Sequence, residues 1–126
     1  MDNLIAENNL VSDVFLKGYC ESLSTVLPKY DAFILPSLWE GLPIVILEAI
    51  ATGLPIVSTD VGSIKNILSM VDAETCDLNE FKWRILDLKD HYDYHWAKAQ
   101  ELREKAQKIY DVRSVEQKLQ GIYRNV

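Results

Sequence analysis

The fold is decided by residues 32–58, which read AFILPSLWEGLPIVILEAIATGLPIVS. The uninterrupted apolar run Ala32–Leu35 predicts a strand buried on both faces of a sheet. A helix is predicted over Pro43–Thr52, because proline suits the first helical position and Gly53 follows as a stop signal. A second strand is predicted over Pro55–Ser58. This strand–helix–strand order is typical of a parallel sheet with right-handed crossovers.

Similar patterns continue on both sides of this unit. Further strands are predicted at Val14–Leu16 and near Met70–Glu74, and further helices over Glu21–Lys29, Gly62–Ser69, Asn79–Leu88, Tyr94–Tyr110 and Val112–Tyr123. Trp83 and Trp96 are interpreted as helix core, and Lys98–Lys108 as a solvated helix face. The predicted fold class is therefore α/β. We expect one Rossmann-like parallel sheet with flanking helices, in a single incomplete domain over residues 1–126 with a helical tail from about residue 92.

Charge and composition exclude several classes of protein. The net charge is −6, with 13 Lys and Arg against 19 Asp and Glu, which argues against a nucleic-acid partner. No apolar run reaches the roughly 18 residues that predict a transmembrane segment. No secretory signal is visible, and Cys20 and Cys76 are too few for a disulfide framework. The expected compartment is the cytoplasm, and a small anionic ligand stays compatible with the charge.

Glu48 is the unusual residue of the central helix. That helix is apolar nearly all round, which predicts that it is buried, and Glu48 is its only charged residue. A buried carboxylate is costly unless it is hydrogen-bonded or paired. Two interpretations are open: Glu48 lies on an exposed stripe in contact with water, or it faces a polar cavity in which ribose hydroxyls supply donors.

The loop before this helix has the features of an anion site. In open parallel sheets, ligands bind beyond the carboxyl ends of the strands, which here means the loops after Leu35 and Ser58. Glu40 lies in the first of these loops, beside a glycine that permits close approach of backbone to ligand. Free N–H groups at the helix start, with the positive end of the helix dipole, suit a phosphate; they belong to Gly41, Leu42 and Ile44.

These residues resemble a known family. The strings PSLWEGLP (residues 36–43), LEA (47–49) and GLPIV (53–57) closely resemble the C-terminal domain of glycosyltransferase family 4. Seven residues separate Glu40 from Glu48, as in that family's E-x7-E motif. A looser match runs from about Val14 to Ile67, and residues 121–123 resemble the family's last helix.

The resemblance implies a GT-B fold and transfer of a sugar from a nucleotide donor, such as a UDP- or GDP-sugar, with retention of configuration. It implies that Glu40 is the catalytic-site residue that binds the reacting end of the donor sugar. The segment Gly41, Leu42, Pro43 and Ile44 would hold sugar and phosphate oxygens, and Glu48 would accept from the ribose. No cofactor and no metal are expected. The implied process is polysaccharide or glycoconjugate biosynthesis.

Departures from the family pattern bear on these roles. Pro43 stands where many relatives have glycine, and it removes one N–H donor. Ser63 and Asn66 stand where relatives often have glycine and glutamate. The family's two opening strands, its Arg/Lys pair and its N-terminal domain precede the matched part. We therefore expect an N-terminally truncated chain that is inactive or weakly active alone. Its expected partner is the N-terminal domain or a subunit carrying it, and any contact with the inner membrane face would come through that part.

Two other functions remain open, together with three weaker features. The chain could be a non-catalytic nucleotide-sugar-binding or partner-completing module, or a small flavodoxin-like interaction domain in which both glutamates are structural. His91 and His95 have a spacing seen in metal sites but lack further ligands, so no metal site is predicted. Lys65 either approaches a phosphate or is solvated. Trp39 either lines a sugar site or packs.

Overall fold

The computed structural model describes residues 2–71 and 73–110. In chain order its elements are α1 (Asp2–Glu7), α2 (Leu23–Val26), a 3-10 turn (Leu27–Lys29), β1 (Phe33–Leu35), α3 (Ile44–Thr52), β2 (Ile56–Ser58), α4 (Ile64–Ser69), α5 (Phe81–Asp90) and α6 (Tyr92–Tyr110). The predicted helix Val112–Tyr123 lies outside the described residues.

The two strands form a parallel pair, and α3 is the crossover between them. Phe33 lies opposite Ile56, and Leu35 lies opposite Ser58. Beyond the pair, the ladder continues from Thr59 N to the carbonyl of Leu35 at 3.2 Å. The predicted α/β class and the parallel strand–helix–strand unit are confirmed.

Helix α3 begins one residue later than predicted and ends where predicted. Pro43 is in an extended conformation (φ −77°, ψ 92°) and precedes the helix as its N-cap, so its assignment to the first helical position is wrong. Gly53 adopts a left-handed conformation (φ 75°), and its N–H donates to the carbonyls of Ala49 and Ile50. An αL glycine after the last helical residue is a common helix stop, because it has no Cβ to clash with the backbone.

The core lies between α3, α4 and the inner side of the sheet. Its buried members are Ile46, Ile50, Ile64, Ile67, Leu68, Val71 and Ala106, and Phe33 and Leu35 pack against them. A smaller cluster joins β2 to α5 through Val57, Cys76, Phe81 and Leu88. Helix α6 lies against α3, where Gln100 Nε2 donates to the carbonyl of Gly53 at 2.9 Å.

Two of the predicted strands are wrong. Val14, Phe15 and Leu16 belong to no strand or helix, and all three are exposed. Near Met70–Glu74, the described residues form no strand, and the pairing falls later, as a single parallel bridge between Thr59 and Cys76. An apolar run becomes a strand only where another strand offers its backbone groups, and Val14–Leu16 finds no such neighbour among the described residues. The amides of Met70, Val71 and Ala73 instead donate to carbonyls at the end of α4.

Burial was overestimated at several positions. Ile34 in β1 is 42% exposed and Ile44 in α3 is 64% exposed, so neither element is covered on all sides. Trp83 and Trp96 are 67% and 50% exposed, so their interpretation as helix core is also wrong. The Lys98–Lys108 stretch is mostly exposed, as predicted. Among the described residues, no helix combines the length and apolar character needed to cross a bilayer.

Candidate functional site

The loops that leave the carboxyl ends of β1 and β2 are joined by hydrogen bonds. The Thr59 hydroxyl, directly after β2, donates to the carbonyl of Ser37 at 2.7 Å and lies 3.3 Å from the carbonyl of Leu35. The two loops that the sequence singles out are therefore neighbours, because parallel strands end at the same edge of their sheet.

Glu40 is held within the first of these loops. The hydroxyl of Ser37 donates to Oε1 of Glu40 at 2.7 Å, and both side chains are half-buried. This bond leaves the other carboxylate oxygen, Oε2, without a hydrogen bond to the described residues. An ionised carboxylate has about four acceptor sites, so Glu40 keeps the capacity to accept from a ligand hydroxyl.

The second loop packs on the backbone around Glu40. Gly62 has a left-handed conformation (φ 56°), and a Cβ at this position would overlap the carbonyl of Glu40, so the site requires glycine. Ser63 follows, and its hydroxyl donates to the carbonyl of Gly41.

The start of α3 presents free donors beside Glu40. The first amide after Pro43 that bonds back to the preceding turn is that of Ile46, which donates to the carbonyl of Pro43 at 3.1 Å. The N–H groups of Gly41, Leu42 and Ile44 donate no hydrogen bond within residues 2–71 and 73–110. Unpaired N–H groups and the helix dipole make this end of the helix favourable for negative charge.

Glu48 lies one turn into α3, at the margin of its exposed face. Ile46, Ala49 and Ile50 form the buried side of the helix, whereas Ile44 is exposed and Glu48 is half-buried. Side chains in an α-helix lean toward its N-terminus, so that of Glu48 leans toward the turn that begins at Ile44. Its carboxylate forms no hydrogen bond or ion pair with the described residues. Both interpretations of Glu48 stay predictions.

Lys65 and Trp39 have clearer outcomes. The ammonium of Lys65 lies 2.8 Å from the carboxylate of Asp60 in an exposed ion pair. The hydrogen bond and the charge of Asp60 raise the pKa of Lys65. Its charge is thus already matched on the protein surface. Trp39 is 83% exposed, so it does not pack as core within the described residues.

The two histidines share a carboxylate. His91 Nδ1 and His95 Nε2 lie 2.9 and 2.8 Å from the two oxygens of Asp87. Hydrogen bonds from His95 and then His91 lower the pKa of Asp87. In the part of the chain that the structure describes, no group of three or more His, Cys, Asp or Glu side chains is arranged to hold a metal ion.

Two cavities lie away from Glu40 and Glu48. One of about 560 Å³ lies between β2, residues 73–76, α5 and α6, and the other, of about 780 Å³, lies between α3 and α6. Neither is lined by Glu40 or Glu48.

Sequence reasoning missed the residues that hold the two loops together. Thr59 was not singled out, Ser37 appeared only inside a motif, and Ser63 appeared only as a departure from a pattern. A usable signal exists, because Ser37 and Thr59 each follow a predicted strand within two residues. Hydroxyl side chains at adjacent strand ends are well placed to bond each other's loops.

Comparisons with known proteins agree with this architecture. Residues 1–90 match the family described as glycosyl transferases group 1. The chain is 36% identical over 89 residues to the UDP-Gal:alpha-D-GlcNAc-diphosphoundecaprenol alpha-1,3-galactosyltransferase of Escherichia coli, a stretch that covers 70% of this chain and 20% of that enzyme. It is 32% identical over 71 residues to a lipopolysaccharide core biosynthesis mannosyltransferase of Rhizobium meliloti, covering 56% of this chain and 20% of that protein.

A solved structure shows the same fold. Sucrose-phosphate synthase from Thermosynechococcus elongatus superposes with a TM-score of 0.79 at 21% identity, over 98% of this chain and 33% of that one. The fold is thus that of a GT-B glycosyltransferase C-terminal domain. The chain spans about a fifth of the length of the two curated relatives above.

Proposed function

Because this chain belongs to the group 1 glycosyl transferases, we propose that it is the donor-binding part of a retaining, family 4 glycosyltransferase. Its ligand in this proposal is a nucleotide-sugar such as a UDP- or GDP-sugar. The process it serves is polysaccharide or glycoconjugate biosynthesis, in keeping with the names of the relatives from Escherichia coli and Rhizobium meliloti.

One observation carries the proposal: three unpaired backbone N–H groups stand beside a partly satisfied glutamate at the start of α3. The amides of Gly41, Leu42 and Ile44 supply donors for phosphate and sugar oxygens, and the helix dipole favours the diphosphate charge. Glu40 has acceptor capacity left after its bond from Ser37. Glu48, which leans toward the same end of the helix, would accept from the ribose hydroxyls.

The proposed chemistry needs such donors at the point where charge develops. When the sugar is transferred, the bond between its anomeric carbon and the diphosphate oxygen breaks, and the diphosphate leaves with the electron pair. The acceptor oxygen forms the new bond, and its proton passes to the departing diphosphate oxygen. Preorganised N–H groups stabilise the growing negative charge on the leaving oxygens. Glu40 would orient the sugar hydroxyls, which keeps the reacting carbon in position.

We propose that transfer of the sugar to an acceptor requires protein in addition to these 126 residues. Each of the two curated relatives is about five times as long as the part that it shares with this chain. We therefore propose a partner domain or subunit that carries the acceptor site, and weak or absent transfer by these 126 residues alone.

The test is a titration of the ¹⁵N-labelled 126-residue chain with UDP-glucose and GDP-mannose, followed by NMR. We expect saturable shifts that are largest at the amides of Gly41, Leu42 and Ile44. Glu48→Gln should weaken binding about tenfold, because it removes charge-assisted hydrogen bonds to the ribose. Glu7→Gln, an exposed change in α1, is the matched control and should leave the affinity unchanged.

Three outcomes would contradict the proposal in different ways. A folded chain that binds no nucleotide-sugar would remove the donor-binding function. Unaltered affinity in Glu48→Gln would return that residue to a structural role, as expected for a flavodoxin-like interaction domain. If the N-terminal domain of a relative, added in trans, restores no transfer although the donor binds, the chain is a non-catalytic binding module.

A further inference from the structure

The loop after β2, residues 59–63, fixes the backbone on the side of Glu40 that faces it. The hydroxyl of Ser63 donates to the carbonyl of Gly41. The preceding residue, Gly62, lies so close to the carbonyl of Glu40 that a Cβ there would overlap it. Two successive carbonyls of the candidate site, those of Glu40 and Gly41, therefore point toward the loop after β2.

Peptide geometry makes these contacts relevant to the ligand. A trans peptide unit is planar, and its C=O and N–H point in opposite directions. Among the described residues, no peptide bond is cis. The unit that contains the Gly41 carbonyl also contains the Leu42 N–H, and the unit that contains the Glu40 carbonyl also contains the Gly41 N–H. Holding the two carbonyls against residues 62–63 therefore turns both N–H groups away from that loop, where they stay free.

The hydroxyl of Ser63 is used for a contact outside its own helix. Ser63 is the N-cap residue of α4, and a serine there commonly bonds the amides of its own helix. In this protein the Ser63 side chain makes no such bond to α4. Its hydroxyl is directed 22 residues back along the chain, to Gly41. A hydroxyl has a single donor hydrogen, and that of Ser63 connects its own loop to the loop that carries Glu40.

We propose that Ser63 is a positioning residue that aims the Leu42 N–H at the diphosphate of the donor. It acts through the Gly41–Leu42 peptide unit and touches no reacting atom. This inference rests on the proposed function, and it adds a determinant of donor affinity that lies outside the E-x7-E segment. Gly62 has the corresponding effect on the Gly41 N–H, by excluding any side chain from the space beside the Glu40 carbonyl.

The experiment compares three variants of the full chain, with UDP as the probe. Ser63→Ala removes the hydroxyl, and Ser63→Thr keeps it. Ser69→Ala is the matched control, because Ser69 also donates from its hydroxyl to a backbone carbonyl, that of Asn66 in its own helix. Without ligand, Ser63→Ala should shift the carbonyl ¹³C resonance of Gly41 and the amide of Leu42. The Ser63→Ala chain should bind UDP about fivefold more weakly, because the hydrogen bond from the Leu42 N–H to the diphosphate is no longer well aligned.

The outcomes separate this inference from the proposed function. Ser63→Thr should restore both the Gly41 resonance and the affinity, and Ser69→Ala should alter neither. Wild-type binding of UDP with equal binding by Ser63→Ala would overturn the positioning role and leave the donor site standing. An unmoved Gly41 resonance in Ser63→Ala would show that the bond itself is absent in solution. Failure of the wild type to bind UDP would overturn the donor site and the positioning role together.

Discussion

Of two runs of three apolar residues in this chain, one forms a strand and the other does not. Phe33–Leu35 forms β1, and Phe33 and Leu35 pack against the main core cluster. Val14–Leu16 forms no strand, and Phe15 is 64% exposed. The difference is the neighbour: α3 returns β2 to the side of β1, whereas no strand among the described residues pairs with Val14–Leu16. Apolar composition supports a strand only when a partner strand satisfies its backbone.

The largest expected loss of stability is in the core beside β1, in comparison with the exposed run Val14–Leu16. Leu68 is 1% exposed and belongs to the cluster that covers Phe33 and Leu35, whereas Leu16 is 50% exposed. Leu68→Ala should lower the free energy of unfolding by about 2–5 kcal/mol, because it leaves a cavity. Leu16→Ala should change it by less than about 0.5 kcal/mol. Urea denaturation of both variants measures the difference, and equal losses would show that Val14–Leu16 is buried in solution.

A smaller loss of stability is expected from substitution of a left-handed glycine, and each of the same two regions contains one. Gly53 (φ 75°) ends α3, and a Cβ there would meet the side chain of Gln100 at 2.8 Å. Gly18 (φ 68°) has nothing within 4 Å of a Cβ. Gly53→Ala should lower the free energy of unfolding by about 1–2 kcal/mol, because the contacts between α3 and α6 keep this residue left-handed, a conformation that is strained for alanine. Gly18→Ala should cost about 0.5 kcal/mol or less, because its unpaired surroundings can adjust. Thermal unfolding of the pair checks the ranking, and a larger loss at Gly18 would contradict it.

The smallest effect concerns the link between α5 and α6. Hydrogen bonds from His95 and His91 hold the pKa of Asp87 below its ordinary 3.8. A carboxyl group whose pKa is lower in the folded chain stabilises the fold at pH values above its pKa in the unfolded chain. This stabilisation is lost as the pH falls through the folded pKa. Wild type should therefore exceed Asp87→Asn in stability above pH 3.8, and the gap should close in more acidic buffer.

The matched control for this pH dependence is Asp90→Asn in the same helix. Asp90 is exposed, and its carboxylate has no hydrogen bond or ion pair with the described residues. Its neutralisation should leave the pH profile of stability close to that of the wild type. A gap for Asp87→Asn that persists unchanged at acidic pH would mean that the two histidines do not hold the carboxylate.

Local signals were sufficient for the central unit of the fold. Gly53 stops α3 through its own backbone, and the apolar runs on either side of the helix find each other across one short crossover. The sequence also indicated Glu40 and Glu48 as candidate site residues, and their roles stay predictions. Degrees of burial were not predictable in this way. Ile34, Ile44 and the two helical tryptophans look like core in sequence, yet their exposure depends on how many layers cover them.

The α/β class, the α3 stop at Gly53 and the candidate segment around Glu40 were predictable from the sequence, because they depend on residues close together in the chain. The bonds from Thr59 to Ser37 and from Ser63 to Gly41, both across 22 residues, became visible in the folded chain. The absence of a partner strand for Val14–Leu16 among the described residues was likewise not predictable from the sequence. The physical reason is that a hydroxyl, like a strand edge, can satisfy its hydrogen bonds locally, with water or with a distant carbonyl. The folded chain selects among these partners by which groups it brings within reach.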